Sequence, residues 1–415
     1  MTKKVSIIIP SRDRAIYLEH SLKTATDIKD PNIEILISDN ASIDHTKDLA
    51  MNCADPRVRY VNTGKRVSMR QNFEFAVRQS KGDYLIMMGD DDGMIPGQFP
   101  VLRHILETET PETLSWDFRT YGWPIEKNGK SGGLRIAGQD CFGTPFQIDA
   151  ATRLNQLEAG EIANNIPLPA LYHGCMSRAF LEKISSLGAP IFRARSPDLY
   201  ISFRALQAGG NFWHIHHPLS INGFSPASTG GAMNNLNPKS NKKDTQFLQE
   251  AKLDDVDDIL PVTKSMSLAF LGTLETVRHL YPDQPVSPDY LKWYGMALQD
   301  VSRKDAQTAR EIQASLDGHA EQFGAQTILE QARNTSTPFL ARVSSTIRKA
   351  TRKFPSFRCG CEIGGQNTIA TAAQICDDLF QNHAMGVISG QITPRKAWQN
   401  CKFQNKQLAT KQKKK

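Results

Sequence analysis

Short apolar runs alternate with segments of helical spacing over residues 1–110 of this 415-residue chain. The apolar runs cover residues 5–9, 33–37, 58–61 and 84–88, and the helical segments between them cover residues 15–28, 44–53 and 69–79. Runs that are apolar at nearly every position are typical of strands buried on both faces, as in a parallel sheet covered by crossover helices. The pattern therefore predicts an α/β domain with a mostly parallel central sheet, whose ligands bind beyond the carboxyl ends of the strands.

Polar residues follow three of these predicted strands. The segments are Pro10-Ser11-Arg12-Asp13-Arg14, Ser38-Asp39-Asn40-Ala41-Ser42 and Gly89-Asp90-Asp91-Asp92-Gly93. Three consecutive carboxylates repel one another unless positive charge lies among them, and a divalent cation with oxygen ligands would supply that charge. Mg²⁺ or Mn²⁺ held by one or two carboxylates usually completes its shell with phosphates, which indicates a diphosphate-bearing substrate. The alternative is a solvated acidic turn that caps the next helix.

The rest of the chain changes character twice. A flexible linker or lid is predicted over residues 226–260, because residues 222–243 are rich in Gly, Ser, Asn and Pro. Helical spacing then predicts a helical C-terminal region over residues 261–394, although residues 355–394 carry no clear pattern of their own. Residues 395–415 hold eight basic residues and no acidic one, which predicts a disordered basic tail.

Four segments within residues 1–225 resemble family 2 glycosyltransferases with the GT-A fold. They are VSIIIPSRDR, EILISDNAS, SKGDYLIMMGDDDGMIP and SPDLYISFRALQAG, and they occur in the order and at the spacing typical of that family. The resemblance implies that residues 1–225 form a Rossmann-like catalytic domain that binds a nucleotide sugar. It is closest over residues 1–100.

The resemblance also implies roles for residues that bind the donor nucleotide. Pro10 and either Arg12 or Arg14 would lie against the base and ribose. Asp39 would accept a hydrogen bond from the imide N–H of uracil or thymine, although without the family it would equally suit a helix N-cap. Arg70 matches a position that often contacts the base or Asp39.

The acidic motif differs from the family pattern at one position. Counting back from Pro96, Asp91 aligns with the metal-binding aspartate of the family, and Asp92 is the second expected ligand of Mn²⁺ or Mg²⁺. The usual first aspartate of the pair is Gly89 here, so Asp90 is the candidate for the ribose or metal contact. The resemblance thus implies a divalent cation that neutralises the leaving phosphate.

The resemblance also implies an inverting reaction, with a carboxylate as general base at the start of a helix late in the fold, and Asp198 is the candidate. Ser196-Pro197-Asp198 is typical of a helix start, with Ser at the N-cap, Pro at the first helical position and an acid in the first turn. The helix dipole would keep the carboxylate ionised. The alternative is a plain helix-capping acid, since the family often has Glu-Asp at this point.

Histidines and cysteines elsewhere suggest metal sites only weakly. His214 and His216 would share one face of a strand, followed by His217, but strand histidines without a metal are the simpler interpretation. The cysteines at 359, 361, 376 and 401 lack standard zinc spacing.

Charge and cysteine content bear on location and partners. The chain carries a net charge of +7, yet residues 331–415 alone contain 15 basic and 3 acidic residues. Apolar residues recur every three or four positions over 339–354, which predicts an amphipathic helix that either lies on an anionic membrane or packs on the core. Seven scattered cysteines favour a reducing cytosol, and we expect neither a signal peptide nor a membrane-spanning helix. The expected location is cytoplasmic, with peripheral contact to the inner face of the cell membrane.

Together with the acidic motif, the resemblance to family 2 implies an inverting glycosyltransferase. It would move a sugar from a UDP- or dTDP-linked donor to a saccharide or lipid-linked saccharide in surface polysaccharide or glycolipid synthesis. One alternative is a nucleotidyltransferase resembling sugar-nucleotide pyrophosphorylases, although Pro10-Ser11-Arg12 lacks the glycine-rich loop such enzymes need. Another is a module that binds nucleic acid or membrane through the basic tail, but that tail has few aromatics and no recognised nucleic-acid motif. The helical region could also mediate homodimers.

Overall fold

A computed structural model describes most of the chain. It covers residues 2–124, 132–161, 167–185, 189–225, 254, 256–261, 263–335 and 356–413. The predicted linker over 226–260 therefore falls almost entirely outside the described residues, and so does the predicted amphipathic helix over 339–354.

Eleven strands of the described residues join in one sheet. The strands are β1 (Val5–Ser11), β2 (Ile33–Asp39), β3 (Val58–Asn62), β4 (Tyr84–Met87), β5 (Gly93–Met94), β6 (Thr113–Gly122), β7 (Gly133–Ala137), β8 (Phe146–Ile148), β9 (Gly174–Ser177), β10 (Phe212–Phe224) and β11 (Ser356–Gly360). The main path runs β11-β7-β6-β9-β4-β1-β2-β3, and β10 pairs with β5, β6 and β8.

The sheet is parallel in one half and mainly antiparallel in the other. β1 pairs in parallel with both β2 and β4, and β2 with β3, so these four strands end at the same edge. β9 then pairs antiparallel with β4 and β6, whereas β10 runs parallel to β6. The expected α/β fold, with a parallel core of β1 to β4 and a helical C-terminal region, is confirmed.

The helices cover both faces of the sheet and continue beyond it. They are α1 (Ala15–Thr26), α2 (Thr46–Met51), α3 (Met69–Gln79), α4 (Phe99–Thr108), α5 (Ala150–Glu158), α6 (Arg178–Ile184), α7 (Pro197–Ala208), α8 (Met266–Leu280), α9 (Tyr290–Val301), α10 (Ala306–Gln322), α11 (Gln326–Thr335), α12 (Ile369–Phe380), α13 (His383–Ile388) and α14 (Pro394–Lys413). Local sequence sets several of their starts. At α3, for example, Ser68 and Gln71 form a reciprocal capping box.

Alternation along the strands divides the core between the two faces. Ile7 and Ile9 pack with α1, α4 and α12 on one face, whereas Ile8 packs with α3 and α6 on the other. A third apolar cluster lies among α5, α7 and the helices α8 to α11. The helix α7 contributes to both the second and the third cluster, so it connects the sheet to the helical region.

The C-terminal segment returns to the first domain, which the predicted boundaries do not anticipate. β11 pairs antiparallel with β7, and Asp377 of α12 accepts hydrogen bonds from the backbone N–H of Gly97. The predicted helical region over 261–394 is thus two parts, one built on α8 to α11 and one packed against the sheet domain. Pairing along an edge strand cannot be read from the helical periodicity that suggested the boundary.

Residues 394–413 form a helix, where the sequence predicts disorder. Ala397 and Cys401 are buried one helical turn apart, and Trp398 stacks on Phe357 with ring centroids 5.4 Å apart. This narrow apolar stripe anchors the helix despite its many lysines. No helix among the described residues is long and apolar enough to cross a membrane.

Candidate functional site

Polar groups from three strand ends meet at the carboxyl edge of the parallel strands. Ser11 is the register partner of Asp39 at the last position of β1 and β2. The Ser11 hydroxyl also donates to Asp90 Oδ2 at 2.8 Å, across 79 residues of sequence. The acidic loop, defined here as residues 89–93, therefore lies directly beyond β1, as the sequence predicts.

Arg14 lies between two carboxylates of the acidic loop. Its Nη1 is 2.9 Å from Asp90 Oδ1, and its Nη2 donates to Asp91 Oδ2 at 2.8 Å. Ser225, directly after β10, donates to the same Asp91 oxygen at 2.6 Å. The sequence predicts a nucleotide contact for Arg14, and in the structure its guanidinium supplies part of the positive charge that the three aspartates require.

Asp92 faces the protein rather than the cleft. Its Oδ2 accepts from the backbone N–H of Gly89 at 2.9 Å and from the Tyr172 hydroxyl, and its Oδ1 accepts from the N–H of Gly223 at 2.7 Å. A carboxylate whose two oxygens both bind internal donors is a poor metal ligand. Asp92 instead ties the acidic loop to the end of β10.

Burial shapes the protonation of the acidic loop. Desolvation raises the pKa of both Asp90 and Asp92, and the neighbouring Asp91 charge adds to the rise. Arg14 opposes the rise at Asp90. Burial would lower the pKa of the Arg14 guanidinium, but Asp90 and Asp91 outweigh it and the pKa is raised. Asp90 and Asp92 are therefore closer to neutral than exposed aspartates at the same pH, and Arg14 lies against Asp90.

The residues of the loop fit a divalent cation at two of the three carboxylates. The Oδ1 atom of Asp90 is buried and lies 2.9 Å from Arg14 Nη1 without forming a hydrogen bond, whereas both oxygens of Asp92 accept hydrogen bonds. The hydrogen bonds that Asp91 accepts from described residues fall on Oδ2, which leaves Oδ1 available. Carboxylate oxygens are the ligands that Mg²⁺ and Mn²⁺ prefer. Asp90 and Asp91 thus fit the predicted site, and Asp92 does not.

Asp39 is buried and held by three donors. Its Oδ2 accepts from the Tyr60 hydroxyl at 2.6 Å and from Asn62 at 2.8 Å, and its Oδ1 accepts from the N–H of Ser42 at 2.9 Å. A carboxylate oxygen has two lone pairs, so Oδ1 can accept one further donor. Ala41, in the turn that follows, has a φ of +51°, a left-handed conformation that favours glycine.

Arg70 forms a buried ion pair with Asp254. Its Nε and Nη2 donate to the two oxygens of Asp254 at 2.8 and 2.7 Å, and its Nη1 donates to the Phe192 carbonyl at 3.1 Å. The predicted contact with Asp39 is not formed. Because Arg70 lies at the start of α3, just beyond the end of β3, it ties the chain before α7 to the carboxyl edge of the sheet.

Asp198 lies in the first turn of α7, as predicted. Ser196 occupies the N-cap position but its side chain makes no capping hydrogen bond. The Asp198 side chain is open to solvent, yet enough protein surrounds it for desolvation to raise the pKa of its carboxyl, and only backbone N–H groups at the helix start oppose that rise. A raised pKa makes the carboxylate more basic, which suits a general base.

The structure adds residues that local sequence does not reveal. Ser225 and Tyr172 hold Asp91 and Asp92, and Asp254 pairs with Arg70. None of these directly follows one of the four strands predicted at the start of the chain. Pro10 and Arg12 are half-buried beside Ser11, where the prediction places the base and ribose.

A separate cavity lies away from the acidic loop. Its volume is about 840 Å³, and it opens between α1, α4 and α12, with Asp27, Arg103 and Asp377 in its lining. Thr2 and Asn32 also line it, so it reaches the amino ends of β1 and β2. The aspartates of the acidic loop do not contribute to its walls.

The sequence of the first domain matches known proteins. The family model described as Glycosyl transferase family 2 matches residues 6–168. A GalNAc(5)-diNAcBac-PP-undecaprenol beta-1,3-glucosyltransferase of Campylobacter jejuni is 28% identical over 102 residues, which is 24% of this chain and 33% of that protein. Abequosyltransferase RfbV of Salmonella typhimurium is 31% identical over 110 residues, or 25% of this chain and 33% of that protein. The chain thus spans about a third of the length of these curated relatives.

Solved structures also resemble the chain at low identity. TarS of S. aureus, residues 1–349 in complex with UDP-GlcNAc, aligns with a TM-score of 0.45 and 10% identity over 81% of this chain and 93% of that chain. The same TarS fragment in complex with UDP aligns with a TM-score of 0.44 and 11% identity over 80% of this chain and 91% of that chain.

Proposed function

We propose that the chain is an inverting glycosyltransferase, because residues 6–168 match the family model described as Glycosyl transferase family 2. It takes a UDP- or dTDP-linked sugar as donor and a saccharide or lipid-linked saccharide as acceptor. The observation that carries the proposal is the meeting of Asp39, Asp90 and Asp91 at the carboxyl edge of one parallel sheet, with Arg14 among them.

The donor nucleotide binds at the ends of β1 and β2. Asp39 Oδ1 accepts the imide N–H of uracil or thymine, for which it retains a lone pair. Pro10 and Arg12 border the ribose, and Asp90 is the nearest carboxylate to Ser11 and serves the ribose or the metal.

Asp91 and Asp90 would hold a divalent cation, Mn²⁺ or Mg²⁺. When bound, it neutralises the charge that develops on the leaving diphosphate. Arg14 contributes positive charge at the same place, and its hydrogen bond to Asp91 orients that carboxylate. Asp92 keeps the loop in position through Gly89 and Gly223.

Asp198 accepts the proton of the acceptor hydroxyl. That oxygen forms a bond to the anomeric carbon while the bond from this carbon to the diphosphate oxygen breaks, so the configuration inverts. The electron pair leaves with the nucleoside diphosphate and the proton goes to the carboxylate of Asp198. Arg70 acts as a positioning residue, because it holds the Phe192 carbonyl six residues before Asp198.

The acceptor is proposed from the relatives. One is named as a glucosyltransferase of GalNAc(5)-diNAcBac-PP-undecaprenol, and the other is named for transfer of abequose. We therefore infer a role in surface polysaccharide or glycolipid synthesis on the cytoplasmic face of a membrane. The basic residues after 331 would supply peripheral contact with anionic lipid.

Calorimetric titration of the full chain with UDP and dTDP, with and without Mn²⁺, tests the donor site. Asp39→Asn should weaken binding about 10- to 150-fold, since it removes a charged hydrogen bond of ~1.5–3 kcal/mol. Asp283→Asn, at an exposed position, is the matched control and should bind like the parent protein. If neither nucleotide binds, or if both variants bind alike, the proposed donor site is wrong.

Turnover with a UDP-sugar and a lipid-linked saccharide then tests the reaction. The expected products are free UDP and a glycoside of inverted anomeric configuration, identified by NMR. Release of pyrophosphate instead would identify a nucleotidyltransferase. Nucleic-acid binding that weakens steeply as salt rises, without nucleotide binding, would favour the alternative of a nucleic-acid-binding module with a basic tail.

A further inference from the structure

Two strands bring a carboxylate and two imidazoles together away from the acidic loop. Asp117 lies in the middle of β6, and His214 and His216 lie on the paired strand β10. One ligand atom from each of the three side chains falls within 4.8 Å of the others. The sequence singles out the histidines, but their carboxylate partner comes much earlier in the chain and only the strand pairing reveals it.

The cluster is organised around Asp117. Its Oδ2 is 2.9 Å from His216 Nδ1, and its Oδ1 is 3.8 Å from His214 Nε2. A tetrahedral ion with bonds of ~2.1 Å holds its ligand atoms about 3.4 Å apart. The three side chains are therefore close to the spacing of a metal site, and the His216 ring is the most exposed of the three.

His214 carries a buried nitrogen that makes no hydrogen bond to any residue the structure describes. Its side chain is 4% exposed, and Nε2 lacks a partner among the described residues although Nδ1 lies 2.9 Å from the Ser115 hydroxyl. When Ser115 accepts the Nδ1 proton, the Nε2 lone pair faces a carboxylate oxygen, and two acceptors repel. When Nε2 carries the proton instead, its separation of 3.8 Å from Asp117 Oδ1 is too long for a hydrogen bond. A cation between the two atoms removes both difficulties.

The neighbours of the cluster favour a bound ion. The Ser115 hydroxyl can orient the His214 ring in the manner of an outer-shell partner. The ring of Phe146 packs on both imidazoles, with centroids 5.5 and 5.2 Å away, and forms an apolar wall. His216 is 41% exposed and leaves a path for the ion to enter.

This cluster is distinct from the acidic loop. Successive side chains of a strand point to opposite faces, so Asp117 and Phe118 lie on opposite sides of β6. Phe118 stacks on His173 with ring centroids 4.6 Å apart, and His173 Nε2 lies 3.6 Å from Asp92 Oδ2. The acidic loop is therefore on the Phe118 side of the sheet, and the cluster faces away from it.

We propose that Asp117, His214 and His216 bind a divalent transition-metal ion, and that this ion is Zn²⁺. Two imidazoles and one carboxylate suit zinc and disfavour Mg²⁺ and Ca²⁺, which select all-oxygen sites. Three protein ligands leave one tetrahedral position for water. The site does not depend on the proposed transferase activity.

An ion at this site would stabilise the pairing of β10 with β6. The pairing of β10 with β6 shifts register between Ile215 and Ser220, so His216 lies in the irregular stretch. β10 then continues to Gly223 and is followed by Ser225, and these two residues hold Asp92 and Asp91. An ion that joins Asp117 to His214 and His216 fixes this irregularity and thereby the strand that supports the acidic loop.

Zinc titration of the full chain, after dialysis against a chelator, tests the proposal. Metal analysis gives the number of zinc ions bound per chain. One equivalent of zinc should bind to the parent protein. His216→Ala and Asp117→Asn should each lower the zinc affinity of this site at least tenfold. His216→Ala is the primary variant because the ring is half-exposed and the fold should tolerate its loss. His45→Ala, at an exposed position on another element, is the matched control and should bind zinc like the parent protein.

Cobalt substitution identifies the ligands independently of activity. Co²⁺ at this site should show visible bands of nitrogen and oxygen ligation without thiolate charge transfer, and His216→Ala should abolish them. Thiolate bands would assign the metal to the cysteines near Cys359 and overturn the proposal. It is equally overturned if the parent protein binds no zinc, or if all three variants bind it with one affinity.

Discussion

Gly223 and Gly122 form a matched pair for testing how β10 supports the acidic loop. A Cβ placed on Gly223 would lie 1.7 Å from the Asp91 carbonyl oxygen, whereas a Cβ on Gly122, at the end of the neighbouring strand, would meet nothing within 4 Å. Gly223→Ala must therefore displace either β10 or the backbone of Asp91. Gly122→Ala adds the same methyl group to open space.

The expected cost of Gly223→Ala follows from the contacts that must shift. Overpacking of this kind costs ~1–3 kcal/mol. Moving the Asp91 peptide also strains the hydrogen bond from Trp123 Nε1 at 3.0 Å and the one from the Gly223 N–H to Asp92 at 2.7 Å. A neutral hydrogen bond contributes ~1 kcal/mol and a charged one ~1.5–3 kcal/mol. The free energy of unfolding should fall by about 3–5 kcal/mol, since the overpacking adds to a partial loss of these two bonds.

Urea unfolding followed by far-UV circular dichroism measures both variants. Gly122→Ala should change the free energy of unfolding by no more than about 1 kcal/mol, and in the stabilising direction, because alanine restricts the unfolded chain more than glycine does. Gly223→Ala should also weaken Mn²⁺ binding, since Asp91 moves. Equal stability of the two variants, or undisturbed Mn²⁺ binding in Gly223→Ala, would refute the idea that close packing of β10 on the loop positions Asp91.

Three further predictions concern the proposed base, the buried ion pair and the pH response. Asp198→Asn should lower turnover by about 10²–10⁴-fold while leaving the affinity for UDP unchanged, as measured by steady-state kinetics and calorimetry; a variant that keeps full turnover would exclude Asp198 as the base. Arg70→Met leaves Asp254 buried without its partner and should cost ~3–5 kcal/mol in urea unfolding, whereas Arg70→Met combined with Asp254→Leu should recover most of that loss; no recovery would mean that packing rather than charge dominates. Desolvation and the Asp91 charge raise the pKa of Asp92 to about 7, so the folded state binds more protons than the unfolded chain. In the presence of a chelator, the free energy of unfolding should therefore fall as pH rises from about 4 to 7. The fall should be smaller in Asp92→Asn than in Asp283→Asn, and an equal pH dependence of the two variants would contradict a raised pKa at Asp92.

Local patterns are enough to predict the parallel half of the fold and the place of the site. The strands β1 to β4 are recognisable because each is apolar along nearly its whole length, and their common direction brings Ser11, Asp39 and the acidic loop to one edge. These features depend on residues close together in sequence. The spacing of polar residues after each strand is therefore sufficient to locate them.

Pairings between distant segments are not predictable in the same way. Arg70 contacts Asp254 across 184 residues of sequence. Arg14 contacts two of the aspartates of the acidic loop, where the sequence suggests only a metal ion. An arginine at the start of α3 looks the same in sequence whether it binds a base or a carboxylate. The partner of this arginine depends on which distant segment packs against α3. The periodicity of the sequence does not indicate that segment.

The return of the C-terminal segment has a consequence for shortened forms of the protein. β11 covers the outer side of β7, so a chain that stops at residue 335 would leave the backbone N–H and C=O groups of β7 unpaired. An unpaired edge strand can form hydrogen bonds with a strand of another chain, which promotes aggregation. Because β11 is itself the terminal strand, its loss exchanges one edge strand for another, but it also removes the apolar residues that α12 and α14 pack on the sheet domain. A chain without this segment should therefore expose part of its core and lose solubility.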